Sequence, residues 1–158
     1  MRNLKPRPEA DAVTIRGAAM DLLARREHSA VELTRKLLAR GFDAEAVAGA
    51  LAVLASEGLQ SDARFAETFV YSRFQRGAGP ARIRAELRAR GVGEGLIEGA
   101  LVALDAEWLQ QLRAVRARKF GPDLPGDFRE RARQMRFLQQ RGFSNEQIGR
   151  LFREVEPD

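Results

Sequence analysis

The sequence predicts an all-α protein made of three tandem three-helix units, helix-turn-helix-like repeats that form an elongated, curved body. A phrase recurs three times: Leu33 to Leu51, Ile83 to Leu101, and a third copy opening at Arg133 and reaching Ile148. Its Arg-Gly pairs fall at 40/41, 90/91 and 141/142, a period of about 50 residues that marks stacked helical repeats. Apolar residues return every three or four positions, and nothing alternates with period two over a useful length. A unit of about 45–50 residues buries too little surface to stand comfortably alone, so neighbours are expected to share apolar contacts. The expected divisions are a flexible lead at 1–10, with Pro6 and Pro8, and repeats at 11–60, 61–104 and 105–158.

The first helix is read from Ile15, Ala18, Ala19 and Leu22 on one face, stopping near Arg26-Glu27-His28. Ser29 and Glu32 form a Ser-x-x-Glu capping box, in which each side chain satisfies a free amide at the start of the second helix. That helix turns Leu33, Leu37 and Leu38 inward and ends at Gly41, suited to a left-handed C-cap. Asp43 caps the third helix, which buries Val47, Leu51 and Leu54.

In the middle unit Phe65, Phe69, Val70 and Phe74 line the first helix, and Gly77-Ala-Gly-Pro80 ends it. Pro80 opens the next helix at a position where its missing amide costs nothing. Ile83 and Leu87 pack inward before Gly91; Leu96, Ile97 and Leu101 close the unit. The last unit begins with Trp108, Leu112 and Val115, followed by the loop Gly121 to Gly126 and a cap at Asp127. Ser144 and Gln147 make another capping box, with Ile148, Leu151 and Phe152 apolar behind it.

Composition narrows the function classes. At 158 residues and 44% apolar, the chain can fold, yet no apolar run approaches the roughly 20 residues of a membrane helix. Cysteine is absent, which excludes disulfides, thiolate catalysis and cysteine metal sites; a cytoplasmic location is expected. The net charge is +5, and of 27 basic residues only Lys5, Lys36 and Lys119 are lysines. Arginine favours phosphate and carboxylate partners through its planar fork, although coding bias toward Arg, Ala and Gly would enrich it too. Residues 11–60 carry a slight acidic excess and the two later units a basic one, so a polyanion-facing surface is expected there.

Catalytic chemistry is poorly supplied. His28, the single histidine, sits at a turn beside Glu27 and Ser29, and reads as a turn or surface residue because adjacent side chains rarely converge. Asp43/Glu45 and Glu94/Glu98 read as caps and solvated faces. Gly77-Ala-Gly79 lacks the Gly-Lys-Ser/Thr of a phosphate loop. No catalytic residue, metal site or cofactor is expected.

Basic helices are the better lead. Arg84 and Arg88 are i, i+4 neighbours, and Arg82 and Arg90 lie two turns apart on an adjoining stripe, with Ile83 and Leu87 opposite. Arg73 and Arg76 enter the same region from the preceding helix; Arg129, Arg133 and Arg136 form a comparable row in the last unit, with Arg131 and Lys119 nearby. The expected contact set is Arg64, Arg73, Arg76, Arg82, Arg84 and Arg88, extended by Arg129 and Arg133. Phe65, Phe69, Trp108 and Phe137 read as core.

The ordered motifs resemble the RecX family, bacterial regulators of the RecA recombinase. The resemblance rests on Arg25-Arg-Glu-His-Ser29, Lys36-Leu-Leu-Ala-Arg-Gly-Phe42, Asp62-Ala-Arg-Phe-Ala66, Phe69-Val-Tyr-Ser-Arg73, Gly79-Pro80-x-Arg82-Ile83, Glu86-Leu87-x-x-Arg-Gly91 and Arg129 to Phe143. Together these span residues from about 15 to 152. Ala78 departs from the bulkier, often aromatic residue of the family, and Gly93 and Gly95 weaken the helix that follows them. The resemblance implies a non-enzymatic modulator that binds RecA filaments on DNA along the helical groove; a monomer is expected, since no coiled-coil or dimerisation segment is visible. It would mainly inhibit recombinase, ATPase and co-protease activity, in DNA repair and the SOS response, touching DNA directly or through the filament. Two other readings are a helix-turn-helix transcription regulator and a helical-repeat adaptor of an unrelated acidic protein.

Overall fold

The computed structural model describes residues 8–153, with side chains from residue 11 onward. The expected lead falls outside the described residues over 1–7, and α1 begins at Pro8. Nine helices and no strand occur among the described residues: α1 (Pro8–Arg25), α2 (Ala30–Ala39), α3 (Ala44–Ser56), α4 (Asp62–Gln75), α5 (Pro80–Ala89), α6 (Glu94–Val102), α7 (Trp108–Phe120), α8 (Phe128–Gln140) and α9 (Asn145–Arg153).

The punctuation follows from local chemistry. The Ser29 hydroxyl accepts the Glu32 amide while the Glu32 carboxylate accepts the Ser29 amide, which sets the start of α2. Asp43, Ser61 and Asp127 cap α3, α4 and α8 in the same single-bond manner. Ser144 and Gln147 exchange both capping bonds at the head of α9. Gly41, Gly91 and Gly142 close the second helix of each unit at φ of 89°, 75° and 100°, where a side chain would be strained.

Burial divides the molecule in two. Ile15, Ala19, Leu22, Leu33, Leu37, Val47, Leu51 and Leu54 form a core confined to unit 1. A second, larger core runs without interruption from Phe65 to Phe152 and is shared by units 2 and 3. Backbone contact between those units is close: the Gly79 amide donates to the Arg141 carbonyl at 2.6 Å and the Ala81 amide to the Gly142 carbonyl at 3.0 Å. Phe74 meets Trp108 edge-on at 5.1 Å, and the Gln111 amide donates to the Phe74 carbonyl.

Unit 1 joins unit 2 mainly through polar bonds. The Ser29 hydroxyl donates to the Arg90 carbonyl at 2.7 Å and Arg35 donates to the Ala89 carbonyl at 2.9 Å. The Ala30 amide is accepted by Asp62, and Arg64 pairs with Glu27.

Three expectations need correction. Leu38 and Leu96 are 41% and 40% exposed, because each adjoins a residue (Leu37, Ile97) that takes the inward direction, and neighbours on a helix diverge by about 100°. His28 is a turn residue but a buried one, 1% exposed. Its ring is held between the Arg26 carbonyl and the Lys36 ammonium, and the Gln60 side-chain amide donates to its carbonyl, contacts that adjacent residues alone do not reveal.

Candidate nucleic-acid interface

Helix α5 separates its arginines into two sets. From Arg82 to Arg84 the helix turns by about 200°, so the two lie on opposite flanks of the buried Ile83/Leu87 stripe. Arg82, Glu86 and Arg90 occupy one flank, toward α4 and unit 3. Arg84 and Arg88 occupy the other, where Arg84 pairs with Glu98 at 2.6 Å and Arg88 with Glu94.

The first flank opens into a continuous groove of three hollows. The first, ≈ 340 Å³, lies where Arg26 and Glu27 of unit 1 approach α4 and Arg90. The second, ≈ 200 Å³, is bounded by Arg73, Arg76, Arg82, Glu86 and Arg141, with Ala78 in its wall. The third, ≈ 140 Å³, runs on past Arg76 and Arg141 to Arg118 and Lys119. Arg73 and Arg76 join the first two, and Arg76 and Arg141 the last two. Eight cationic residues face two carboxylates along this path, and both carboxylates are engaged. Glu27 holds Arg64 at 2.6 Å; Glu86 holds Arg73 at 2.9 Å and Arg82 at 3.5 Å.

Aromatic rings pre-set the cations. The guanidinium groups of Arg73 and Arg90 lie 4.4 Å and 4.7 Å from the Phe69 ring, and Arg90 also donates to the Glu86 carbonyl. At the far end Arg141 and Lys119 lie 5.3 Å and 5.6 Å from the Phe137 ring. Phe137 meets Phe120 edge-on, and Phe120 carries Arg133 at 5.2 Å. Cations already held on ring faces lose less side-chain entropy when an anion binds them. Arg76 is exposed and has no partner among the described residues, which leaves its fork open to an anion.

The expected contact residues thus fall in different places. Arg73, Arg76 and Arg82 converge on the groove. Arg64 stands at the unit 1 joint, its carboxylate partner Glu27 raising its pKa first through the hydrogen bond. Arg84 and Arg88 lie on the opposite flank, and their hydrogen bonds hold Glu98 and Glu94 below the usual carboxylate range. Arg133 pairs with Glu130 and reaches the groove's end through Phe120; Arg129 is exposed beside Phe128, itself 86% exposed. Arg90, in the first hollow, and Arg141, shared by the other two, were not in the expected contact set; the one sequence signal pointing to them is the recurring Arg-Gly pair, both being C-caps of second helices.

The Ser29 hydroxyl is spent on the Arg90 carbonyl, and the His28 ring lies between the Arg26 carbonyl and the Lys36 ammonium. Among the described residues no group of His, Asp or Glu could hold a metal ion, and no helix is long and apolar enough to cross a membrane.

Three family models match the chain in tandem: the first three-helix domain of RecX over residues 16–54, the second over 61–101 and the third over 105–152. The chain belongs to the RecX family. The regulatory protein RecX of Ectopseudomonas mendocina is 54% identical over 141 residues, covering 89% of this chain and 94% of the relative. That of Halorhodospira halophila is 51% identical over 139 residues, covering 88% and 86%. These relatives are named as regulatory proteins rather than enzymes. The crystal structure of RecX from Lactobacillus salivarius superposes with a TM-score of 0.80 at 20% identity, covering 93% of this chain and 97% of that one. A second crystal structure, of a regulatory protein RecX, gives 0.78 at 21% identity, covering 92% and 73%. Both share the RecX arrangement of helices.

Proposed function

We propose that this protein regulates the RecA recombinase by binding RecA–DNA filaments along their helical groove. It acts there as a cytoplasmic monomer in DNA repair and SOS regulation, mainly lowering recombinase, ATPase and co-protease activity. Membership of the RecX family along nearly the whole chain carries this reading. The cationic groove supports it, because it touches all three units and is lined by guanidinium groups that a row of phosphates would meet. Arg73, Arg76 and Arg82 then make the central contact with Arg141, and Arg129 and Arg133 extend it. Arg64 fixes the joint. Arg84 and Arg88 contribute less, because they lie on the opposite flank of α5 and each has a carboxylate to itself, whereas Arg73 and Arg82 share Glu86.

The test is RecA ATPase on single-stranded DNA, with this protein titrated in at two salt concentrations. Inhibition is expected at both, weaker at the higher salt because counterion release drives phosphate contact. Arg76→Glu with Arg141→Glu should raise the protein needed for half-inhibition about tenfold and flatten the salt dependence. Arg84→Glu with Arg88→Glu should have the smaller effect. No inhibition by folded wild-type protein in either salt would overturn the reading; a larger loss from the Arg84/Arg88 pair would overturn the placement alone.

A further inference from the structure

The flank of α5 that carries Arg84 borders a different kind of surface. A cleft of ≈ 500 Å³ opens where α5, α6, the start of α7 and α9 meet, larger than any of the three hollows of the groove. Its lining is mixed: Val102, 58% exposed, and half-buried Leu109 supply an apolar strip over the buried Leu101 and Trp108, and Ser144, Gln147 and charged side chains supply the rest. Trp108 is fixed by its indole N–H, which donates to the Leu101 carbonyl, and by the edge-on contact with Phe74.

The rim is charged in the opposite sense to the groove. Glu98 is neutralised by Arg84. Asp105 and Glu146 are exposed carboxylates with no side-chain partner among the described residues, and Arg150 is the one rim cation similarly free among them. The unneutralised charge at the rim is therefore negative. A phosphate chain is disfavoured there, whereas an apolar strip within a polar and charged rim has the composition of a protein-docking surface. A cavity of this size accepts a few side chains rather than a whole element.

We propose that this cleft is a protein-docking site that takes, from the recombinase filament, a segment with an apolar side chain next to a Lys or Arg. The apolar side chain packs against Val102 and Leu109, and the cation meets Asp105 and Glu146. The proposal rests on the reading that RecA is the partner. It divides the labour of α5, whose Arg82 flank serves phosphate and whose Arg84 flank borders protein.

The absence of cysteine from the chain allows a clean test. Val102→Cys places a single thiol at the lip, and Val53→Cys, at a residue 49% exposed on unit 1, serves as the control. Alkylation by iodoacetamide is followed by mass spectrometry of this chain, alone, with single-stranded DNA, and with RecA filaments on that DNA. Filaments should slow modification at Val102→Cys about tenfold and leave Val53→Cys unchanged, and DNA alone should protect neither. Asp105→Lys with Glu146→Lys, both at exposed positions, should weaken cosedimentation with filaments about tenfold.

Cosedimentation with no protection at Val102→Cys, or undiminished binding by the double variant, would overturn the cleft and leave the RecA reading standing. Equal protection by DNA alone would make the cleft a nucleic-acid contact and overturn it as well. No cosedimentation of wild-type protein would overturn both.

Discussion

His28 is the only histidine in the chain, and so the only side chain whose ordinary pKa lies near neutrality. Burial lowers its pKa first of all, and the positive charges of Arg26 and Lys36 lower it further. The bond to the Arg26 carbonyl and the charge of Glu32 oppose the shift. Its Nδ1–H donates to the Arg26 carbonyl at 3.0 Å, and its neutral Nε2 accepts from the Lys36 ammonium at 3.0 Å. A base held neutral in the fold leaves stability intact above its unfolded pKa of about 6.5. As pH falls below that value the unfolded chain takes up the proton first, so stability declines until the folded pKa is passed. Urea unfolding at pH 7.5 and pH 5 should therefore show a drop in the wild type that is largely absent in His28→Gln. An equal drop in both would place the pH sensitivity elsewhere. At the same scale, sequence identified Arg73, Arg76 and Arg82 as a basic group but left Arg141 out, because its approach to Arg76 crosses from unit 2 to unit 3.

At the scale of the element, spacing sets which face a helix buries, and contact between elements sets how close it comes. Gly79 has φ of −84°, a conformation open to any residue, yet a Cβ there would stand 2.3 Å from the Gly142 carbonyl carbon and 2.5 Å from the Phe143 nitrogen. Gly79 is required by space, not by torsion. Gly79→Ala should push α5 away from the end of α8 and cost about 1–3 kcal/mol in chemical denaturation. Gly99→Ala, in an open position within α6 where nothing lies within 4 Å, should instead stabilise by about 0.5–1 kcal/mol. A neutral Gly79→Ala would mean that the two turns separate at little cost. The glycines of the turn were visible in sequence, but the reason for Gly79 was not, because its neighbour lies about 60 residues away in the chain.

For the whole molecule, the decisive feature is the inequality of the two cores. Eight buried apolar residues hold unit 1, against nineteen in the core shared by units 2 and 3. Since units 1 and 2 meet mainly through hydrogen bonds and ion pairs, unit 1 can open without exposing the larger core. Native-state hydrogen exchange should show this, with amides of α2 and α3 exchanging at least about tenfold faster than those of α5 and α7. Uniform protection across all nine helices would show a single cooperative unit instead. Independent opening of unit 1 would also widen the first hollow of the groove, which Arg26 and Glu27 close from that side.

Sequence by itself determined the helices, the caps at Ser29, Asp43, Asp127 and Ser144 and the triple repeat, though not the Ser61 cap of α4, because capping bonds and 3.6-residue periodicity act over a few positions. It also determined the family, through motifs spread along most of the chain. Tertiary structure decided which arginines share a surface. A helix of ten residues presents cations on both flanks of its buried stripe, and only the packing of neighbours assigns those flanks. On α5 the contacts with α4 and the end of α8 draw Arg82 and Arg90 into the groove, while α6 supplies carboxylates to Arg84 and Arg88. Charge pairing between elements is set by distance in space, and a linear pattern carries no record of it.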